Sequence, residues 1–394
     1  MGRYAEYLDM NLGMGELTAE RKKQLARISE LRGGRDVLVY SADLSKQRAP
    51  IAIAYDDLLP IADQLENLHR SRIDVILETP GGSGETVEDI VNLLRRKYEH
   101  VAFIVPGVAK SAGTILTMAG DEILMEATSS LGPIDAQMSW QGKVFSAHAL
   151  LEGLNQIKEE SDNKKALNRA YIPILQNISP GEIQEALNAL HFSRRLVASW
   201  LAKHKFRNWT VHSSSGTPVT EDERNARAQE IAAKLCDHSH WLTHGRSVKM
   251  SDLREMRLHI TDYEENQELF DAIRRYYVLL QMTLHGSNIY KLFETPVSQV
   301  YRFVVPAASA SHPLLMQKAH SVCLDIQCSK CHKQLKVQAD FEPDLPLQEG
   351  VIRFPKDNKL VCPECNAVND LSDLRLMIES QVRRKVVSDK EAPK

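Results

Sequence analysis

Two loops that follow neighbouring apolar runs carry the residues best suited to covalent chemistry. The pair Gly81-Gly82 follows one apolar run directly, and Ser111 follows the next run at the start of a small-residue helix. Because glycine has no side chain, its backbone N–H can approach a bound atom closely and stabilise an oxyanion. The N–H of Ala112 would be a second donor, at a helix start that favours negative charge. These loops predict acyl transfer with Ser111 as nucleophile.

A second candidate site consists of cysteines. Four of the six cysteines form two CxxC pairs: Cys328, Cys331, Cys362 and Cys365. Two such pairs can place four thiolates tetrahedrally around zinc and leave no open position, so a structural zinc is predicted. The run Cys328–His332 also fits c-type haem attachment, but the second pair favours zinc. We predict a ribbon too small to bury a core, which depends on its metal to fold.

The apolar patterns predict the elements that position these residues. Short apolar runs predict strands at 36–42, 74–78, 101–105 and 122–125, with a further candidate at 50–55. Apolar residues at helical spacing predict helices over 58–68, after Gly84 and after Ser111. This alternation predicts an α/β fold with a parallel sheet and repeated strand–turn–helix units. Residues 140–300 are predicted to be mostly helical. A long hairpin over 333–337 and 351–354 would build the ribbon.

The patterns also divide the chain of 394 residues into segments. The predicted domains are an N-terminal helical segment at 1–35, a main domain at 36–305 that is helical from about 150, a linker at 306–321, the four-cysteine ribbon at 322–370, and a C-terminal helix and tail at 371–394.

Four motifs in a fixed order resemble the serine dehydrogenase proteinase family. They are Glu78-Thr79-Pro80-Gly81-Gly82-Ser83, Ala109-Lys110-Ser111-Ala112-Gly113-Thr114, Gly120-Asp121-Glu122-Ile123 and Leu131-Gly132-Pro133-Ile134-Asp135. The family lies in the clan of signal peptide peptidases and Clp proteases, which share a crotonase-like fold. The resemblance covers roughly residues 35–300, because Thr243-His244-Gly245-Arg246 also fits the pattern.

The resemblance implies a serine peptidase that acts on a peptide or protein substrate. Ser111 would be the nucleophile, and Gly82 and Ala112 would hold the oxyanion beside Gly81. No histidine stands where Clp proteases carry their base. We therefore place Lys143 and His148 in the catalytic site as candidate bases.

Three other residues stay open as participants. Lys143 would need burial or a nearby cation to lower its pKa, whereas a histidine titrates near neutrality without help. His244 could reach the site from the helical half. Lys110 is weaker, because it directly precedes the nucleophile and neighbouring side chains diverge. Asp135 follows a strand end and could orient a base or cap a turn, but the sequence does not assign it a catalytic role.

Charge and hydropathy limit the partners and the location. The 49 basic and 52 acidic residues give a net charge of -3, which argues against binding of nucleic acid by bulk charge. Lys330, Lys333 and Lys336 give the ribbon a basic edge, but nucleic-acid binding there is not favoured. No apolar run is long enough to cross a bilayer, and peripheral membrane association stays open. We expect a cytoplasmic homo-oligomer.

Two other function classes compete with the peptidase. One is an interaction protein that kept the fold, lost turnover and docks through its ribbon. The other is acyl-thioester chemistry, which the crotonase-like fold also hosts. That chemistry needs oxyanion N–H groups but no serine at position 111, so the run Lys110–Thr114 argues against it.

Overall fold

The computed structural model describes residues 2–140, 143–212, 215–304, 320–343, 345–382 and 384–387. The helices in these ranges are α1 (Arg3–Asp9), α2 (Met14–Leu31), α3 (Leu58–Glu66), α4 (Gly84–Lys97), α5 (Ala112–Met118), α6 (Ala147–Lys164), α7 (Ile172–Gln176), α8 (Pro180–Trp200), α9 (Glu221–Leu235), α10 (His238–Trp241), α11 (Met250–Glu255), α12 (Gln267–His285) and α13 (Ser372–Val382). None of them combines the length and apolar character that a bilayer-spanning helix needs.

The strands in the same ranges are β1 (Asp36–Ala42), β2 (Arg72–Glu78), β3 (His100–Val105), β4 (Val108–Ala109), β5 (Glu122–Met125), β6 (Ser130–Leu131), β7 (Gln137–Trp140), β8 (Lys143–Ser146), β9 (Thr261–Asp262), β10 (Ile289–Glu294), β11 (Gln299–Phe303), β12 (Ser321–Gln327), β13 (Gln334–Asp340), β14 (Ile352–Arg353), β15 (Lys359–Val361) and β16 (Val368–Asp370).

Contacts divide the chain into two compact units. The larger unit comprises Lys22–Tyr277 and Lys291–Tyr301, and the other comprises Met1–Arg21, Val278–Tyr290 and Arg302–Lys394. All residues of the predicted serine site lie in the larger unit, and the four cysteines of the CxxC pairs lie in the other. The predicted linker at 306–321 falls almost entirely outside the described residues.

A seven-stranded sheet with the order β11-β10-β1-β2-β3-β5-β9 organises the main fold. Strands β1, β2, β3, β5 and β9 are parallel to one another, as predicted. Strand β10 runs antiparallel to β1. The four predicted runs form β1, β2, β3 and β5, and their side chains are almost all buried, which fits a parallel sheet covered on both faces.

Helix α4 shows how local sequence fixes the frame of the site. Ser83 caps its first turn, because its hydroxyl accepts a hydrogen bond from the N–H of Thr86 at 3.0 Å. Basic residues occupy its last turn, where the helix dipole favours positive charge. Its buried apolar face consists of Val87, Ile90, Val91 and Leu94. The cap of the helix therefore follows Gly82 directly, and the helix packs into the core.

Residues 140–300 are mainly helical, as predicted, but strands that the sequence does not predict also occur there. The region ends in β10 and β11 and contains part of the β7–β8 hairpin. The run at 50–55 forms no strand, although Ile53 makes a single β-bridge to Gly82. The region is otherwise mainly helical, as α6 and α8 illustrate.

The ribbon differs from its prediction in two ways. Strands β13 and β14 lie where a long hairpin was expected, but they pair in parallel, and the hairpin partner of β13 is β12. The module also buries a small apolar core, to which helix α13 contributes Ile378 and Val382. The prediction that the ribbon cannot bury a core was wrong, because it did not count the C-terminal helix as part of the ribbon.

Candidate active site

A short ladder of β-bridges outside the main sheet begins at the glycine loop. Beyond the end of β2, Thr79 bridges to Ala109, the last residue of β4. On its other side the loop is held by Ile53, which bridges to Gly82 and donates its N–H to the carbonyl of Gly81 at 2.7 Å. These bridges bring the glycine pair beside Ser111, two residues after Ala109, as the order of the strands predicts.

The same ladder continues to a distant loop. Strand β4 pairs with β6, and Leu131 of β6 exchanges two backbone hydrogen bonds with Val248, at 2.9 and 3.0 Å. His244 lies four residues before this bridge, and Asp135 lies four residues after Leu131. The ladder therefore brings a histidine and an aspartate from far apart in the chain toward the nucleophile.

Ser111 adopts a backbone conformation that is unusual for a residue with a side chain. Its φ is 51° and its ψ is -115°, which costs on the order of 1–3 kcal/mol in strain. The hydroxyl makes no capping hydrogen bond to α5, although a serine at a helix start usually caps it. Among the described residues no hydrogen bond engages this hydroxyl, so it is available for chemistry.

The two glycines approach the nucleophile closely. A Cβ on Gly81, whose φ is 108°, would lie 2.8 Å from the Cβ of Ser111. The N–H of Gly81 is already donated to Thr79 Oγ1 at 3.2 Å. Within the described part of the chain, no hydrogen bond engages the N–H of Gly82 or of Ala112. These two N–H groups are therefore the ones free to hold an oxyanion, while Gly81 shapes the turn.

We predict that Gly82→Ala disables this site. The φ of Gly82 is 150°, and a Cβ there would collide with the backbone O and N of Ile53. Displacement of one oxyanion donor should slow covalent labelling of Ser111 by a fluorophosphonate about 100-fold or more. Gly153→Ala is the matched control, because a Cβ there meets no atom within 4 Å. A Gly82→Ala protein that labels at the wild-type rate would contradict this assignment.

The structure brings together His244 and Asp135, two residues that the sequence leaves open as participants. His244 Nδ1 lies 3.7 Å from Asp135 Oδ2, and no described residue offers this buried nitrogen a hydrogen bond. Catalytic hydrogen bonds are often long before substrate binds, and this one needs only a small closure. With Nδ1 turned toward the carboxylate, Nε2 is the ring nitrogen left to accept a proton.

The surroundings of Asp135 favour its ionised carboxylate. Its side chain is 1% exposed. It accepts hydrogen bonds from Ser146 Oγ at 2.6 Å and Gln137 Nε2 at 2.9 Å. Burial pushes the pKa of Asp135 upward, but the interactions with His244, Ser146 and His238 outweigh it and hold the pKa below its usual value. A buried carboxylate of this kind can orient an imidazole and stabilise its protonated form.

The bases predicted from the sequence lie elsewhere or are not described. His148, at the start of α6, is absent from the described residues that line the cavity at Ser111. Its ring instead lies 5.9 Å from that of His238, whose Nδ1 is 3.1 Å from Asp135 Oδ2. Lys143 is the first residue of β8, and its side chain falls outside the described residues. The roles of Lys143 and His148 stay predictions.

The side chain of Lys110 makes several hydrogen bonds close to Ser111. Its ammonium donates three hydrogen bonds, to the carbonyls of Leu131 and Arg246 and to Ser247 Oγ, at 3.0–3.1 Å. Burial and the charge of Lys249 lower the pKa of Lys110. These hydrogen bonds connect the loop of His244 to the turn of Ser111.

These groups share a cavity of about 400 Å³. Its walls combine the polar groups of the site with apolar side chains that include Ile115, Ile134 and Phe192. A largely apolar cleft with a few convergent polar groups is the common form of a ligand site, and its size suits one side chain and its flanking peptide groups.

The four cysteines of the CxxC pairs form a separate cluster. All four sulfur atoms lie within 4.8 Å of one another, with 3.6 Å from Cys328 to Cys365 and 3.7 Å from Cys331 to Cys362. Disulfide sulfurs would lie about 2.05 Å apart, so these thiols are free. The cluster can hold one metal ion. The amide of Asn369 supports it, because Oδ1 accepts the N–H of Ser329 at 2.8 Å and Nδ2 lies 3.8 Å from Cys328 Sγ.

Comparison with known proteins identifies a similar family. Residues 61–190 match the family model of the ClpP-like SDH-type serine proteinases. The match confirms the resemblance inferred from the sequence, and it includes Ser111, both glycines and Asp135. It supports a serine peptidase in general terms.

Individual relatives cover the chain only in part. Two uncharacterized proteins of Methanocaldococcus jannaschii are similar. MJ0137 is 38% identical over 30% of this chain and 38% of its own length, and MJ1495 is 36% identical over 17% of this chain and 23% of its own length. The chain thus spans less than half of either relative. A solved structure, a mutant of the 1510-N membrane-bound stomatin-specific protease, covers 56% of this chain and 79% of its own, at 14% identity and a TM-score of 0.32.

Proposed function

We propose that the protein is a serine peptidase that forms an acyl-enzyme on Ser111. One observation carries this proposal. A single cavity joins a strained serine with an unengaged hydroxyl, two free backbone N–H donors and a histidine beside a buried carboxylate. A serine that served only as a helix cap would not need this conformation.

In the proposed reaction, His244 Nε2 accepts the proton of Ser111 as Oγ attacks the peptide carbonyl carbon. The N–H groups of Gly82 and Ala112 stabilise the resulting oxyanion. When the carbon–nitrogen bond breaks, the protonated His244 gives its proton to the leaving amine. Water then repeats the sequence on the ester and restores the hydroxyl of Ser111. Asp135 keeps the imidazole in the required tautomer throughout.

Three alanine variants test which residue is the base. We expect His244→Ala to lower the rate of fluorophosphonate labelling by about 10²–10⁴-fold, which is the usual contribution of a general base. His148→Ala and Lys143→Ala should label close to the wild-type rate, and exposed His69→Ala is the matched control. Thermal unfolding of each variant separates loss of the base from loss of the fold.

The other outcomes of this test are equally informative. If only Lys143→Ala or only His148→Ala loses labelling, that residue is the base and His244 has a structural role. A folded wild-type protein that neither labels nor cleaves peptides would overturn the peptidase and favour the interaction protein.

We also propose that the four-cysteine cluster holds zinc. A tetrahedral zinc with bonds of about 2.3 Å separates its sulfur ligands by about 3.8 Å, close to the distances in the cluster. Thiolates favour zinc over magnesium or calcium. Four ligands make this site structural.

A further inference from the structure

A second cavity, of about 600 Å³, lies at the other end of α5 from Ser111. Asp121, which lines it, comes three residues after the end of α5 and directly before β5. The cavity therefore lies at the amino end of β5, whereas the serine site follows the carboxyl ends of β2 and β3. It is lined by Asp121, Lys205, Phe206, Asn208, Trp209, His212, Arg227, Arg257 and His259. The peptidase mechanism uses none of them.

The one carboxylate among these lining residues is already neutralised. Asp121 Oδ1 lies 2.8 Å from Arg207, and Oδ2 lies 2.6 Å from Arg95 and accepts the N–H of Val101 at 2.9 Å. Burial raises the pKa of Asp121, but these partners outweigh it and keep the pKa below its usual value. Both oxygens of this carboxylate are therefore already engaged by other partners.

The cations of the cavity are less well paired. In the described ranges, Lys205 and Arg257 have no carboxylate oxygen within 4.0 Å, whereas Arg227 has Glu230 at 2.6 Å. Among the described residues, the ammonium of Lys205 donates a hydrogen bond only to the carbonyl of Asp121, at 3.4 Å. Burial lowers the pKa of Lys205 to about 8, although Glu122 and Asp121 act in the opposite direction. A half-buried ammonium with so little compensation favours an anion beside it.

Aromatic side chains also line this cavity. Trp209 packs edgewise against Phe206 and against His212, with ring centroids 5.9 and 5.4 Å apart. Arginine pairs with phosphate through two parallel hydrogen bonds, and an indole offers a face for a planar ring. The volume of the cavity falls in the range of small-ligand sites.

We propose that this cavity binds a phosphate-bearing small molecule with a planar ring, such as a nucleoside monophosphate. Lys205 and Arg257 would hold the phosphate, and Trp209 would contact the ring. The site is independent of the serine chemistry.

Calorimetric titration of the full chain with AMP, inorganic phosphate and adenosine tests the proposal. We expect AMP to bind about tenfold or more tightly than adenosine, because charged hydrogen bonds contribute most of the affinity. Inorganic phosphate should bind more weakly than AMP, since it lacks the ring. Ser111→Ala should leave AMP binding unchanged, so failure of the peptidase proposal and failure of this one are distinguishable.

Two variants locate the site. Lys205→Met keeps the aliphatic stem, and Arg257→Asn suits the positive φ of 59° at that position. Each should weaken AMP binding about tenfold or more, while exposed Arg169→Asn, the matched control, should not. The proposal is overturned if wild type binds neither AMP nor phosphate, if adenosine binds as tightly as AMP, or if both cavity variants bind AMP like wild type.

Discussion

Ser111→Ala should abolish fluorophosphonate labelling and lower peptide cleavage by about 10⁶-fold, because the variant lacks the oxygen that forms the acyl bond. The hydroxyl of Ser111 makes no capping bond and is not engaged by any described residue, so its removal should leave the fold unchanged. Exposed Ser251→Ala is the matched control for loss of a hydroxyl. Labelling that survives in Ser111→Ala would place the nucleophile elsewhere.

A second variant at the same position tests whether the backbone is strained for function. With a φ of 51° and a ψ of -115°, any side chain at position 111 is disfavoured, and only glycine adopts this region freely. Ser111→Gly should therefore unfold with a free energy about 1 kcal/mol higher than that of Ser111→Ala, although neither labels. Because glycine also gives the unfolded chain more freedom, a turn without strain would leave Ser111→Gly less stable than Ser111→Ala by about 0.4–1 kcal/mol in denaturant titrations.

The sequence predicts the centre of the sheet well, because continuous apolar runs leave little choice of structure. Strands β1, β2, β3 and β5 are such runs. Strand β10 is not, since it contains Lys291 and Glu294, and both are buried. The ammonium of Lys291 is paired with Asp57, 234 positions earlier, at 2.7 Å. A charge whose partner lies that far away in the chain looks solvent-exposed in the sequence, so no strand is predicted at this point of a region expected to be mostly helical.

The candidate site also contains residues that the sequence predicts well and residues that it predicts poorly. Ser111 and the glycine pair follow strands directly, and their short-range pattern is visible in the sequence. The pairing of His244 with Asp135 depends on single β-bridges, such as Leu131 to Val248, which have no periodicity to detect. The only signal was the fit of Thr243–Arg246 to the family resemblance. Lys143 and His148 are chosen as candidate bases by their distance from Ser111 along the chain. That distance carries no information about which strands pair.

The metal site should be necessary for the C-terminal module but not for the nucleophile. We expect about one zinc per chain by metal analysis of the wild type. The double variant Cys362→Ser/Cys365→Ser should lose that metal, because it removes two of four ligands. Exposed Cys323→Ser, outside the cluster, is the matched control and should keep it.

The expected effect of zinc loss follows from comparing the free energy contributed by the metal with that contributed by the apolar core of the ribbon. A structural zinc contributes about 10–16 kcal/mol in small zinc-finger domains. A single core in a domain of this size rarely contributes more than about 3–5 kcal/mol. The apolar core that joins Leu335, Val337 and Ile378 is therefore too small to replace the metal, and two of the ligands, Cys328 and Cys362, belong to that core. Loss of zinc should unfold the ribbon at ordinary temperature.

Hydrogen exchange of the full-length double variant distinguishes local from global unfolding. Protection should be lost in β12–β16 and α13 and retained in β1, β2 and β3, while Ser111 still labels at close to the wild-type rate. This follows because every group of the serine site lies in the unit formed by Lys22–Tyr277 and Lys291–Tyr301, and the four cysteines of the CxxC pairs lie in the other. Unchanged zinc content in the double variant would refute the cluster as the metal site. Loss of labelling with β1–β3 still protected would show that the ribbon supports catalysis, contrary to this expectation.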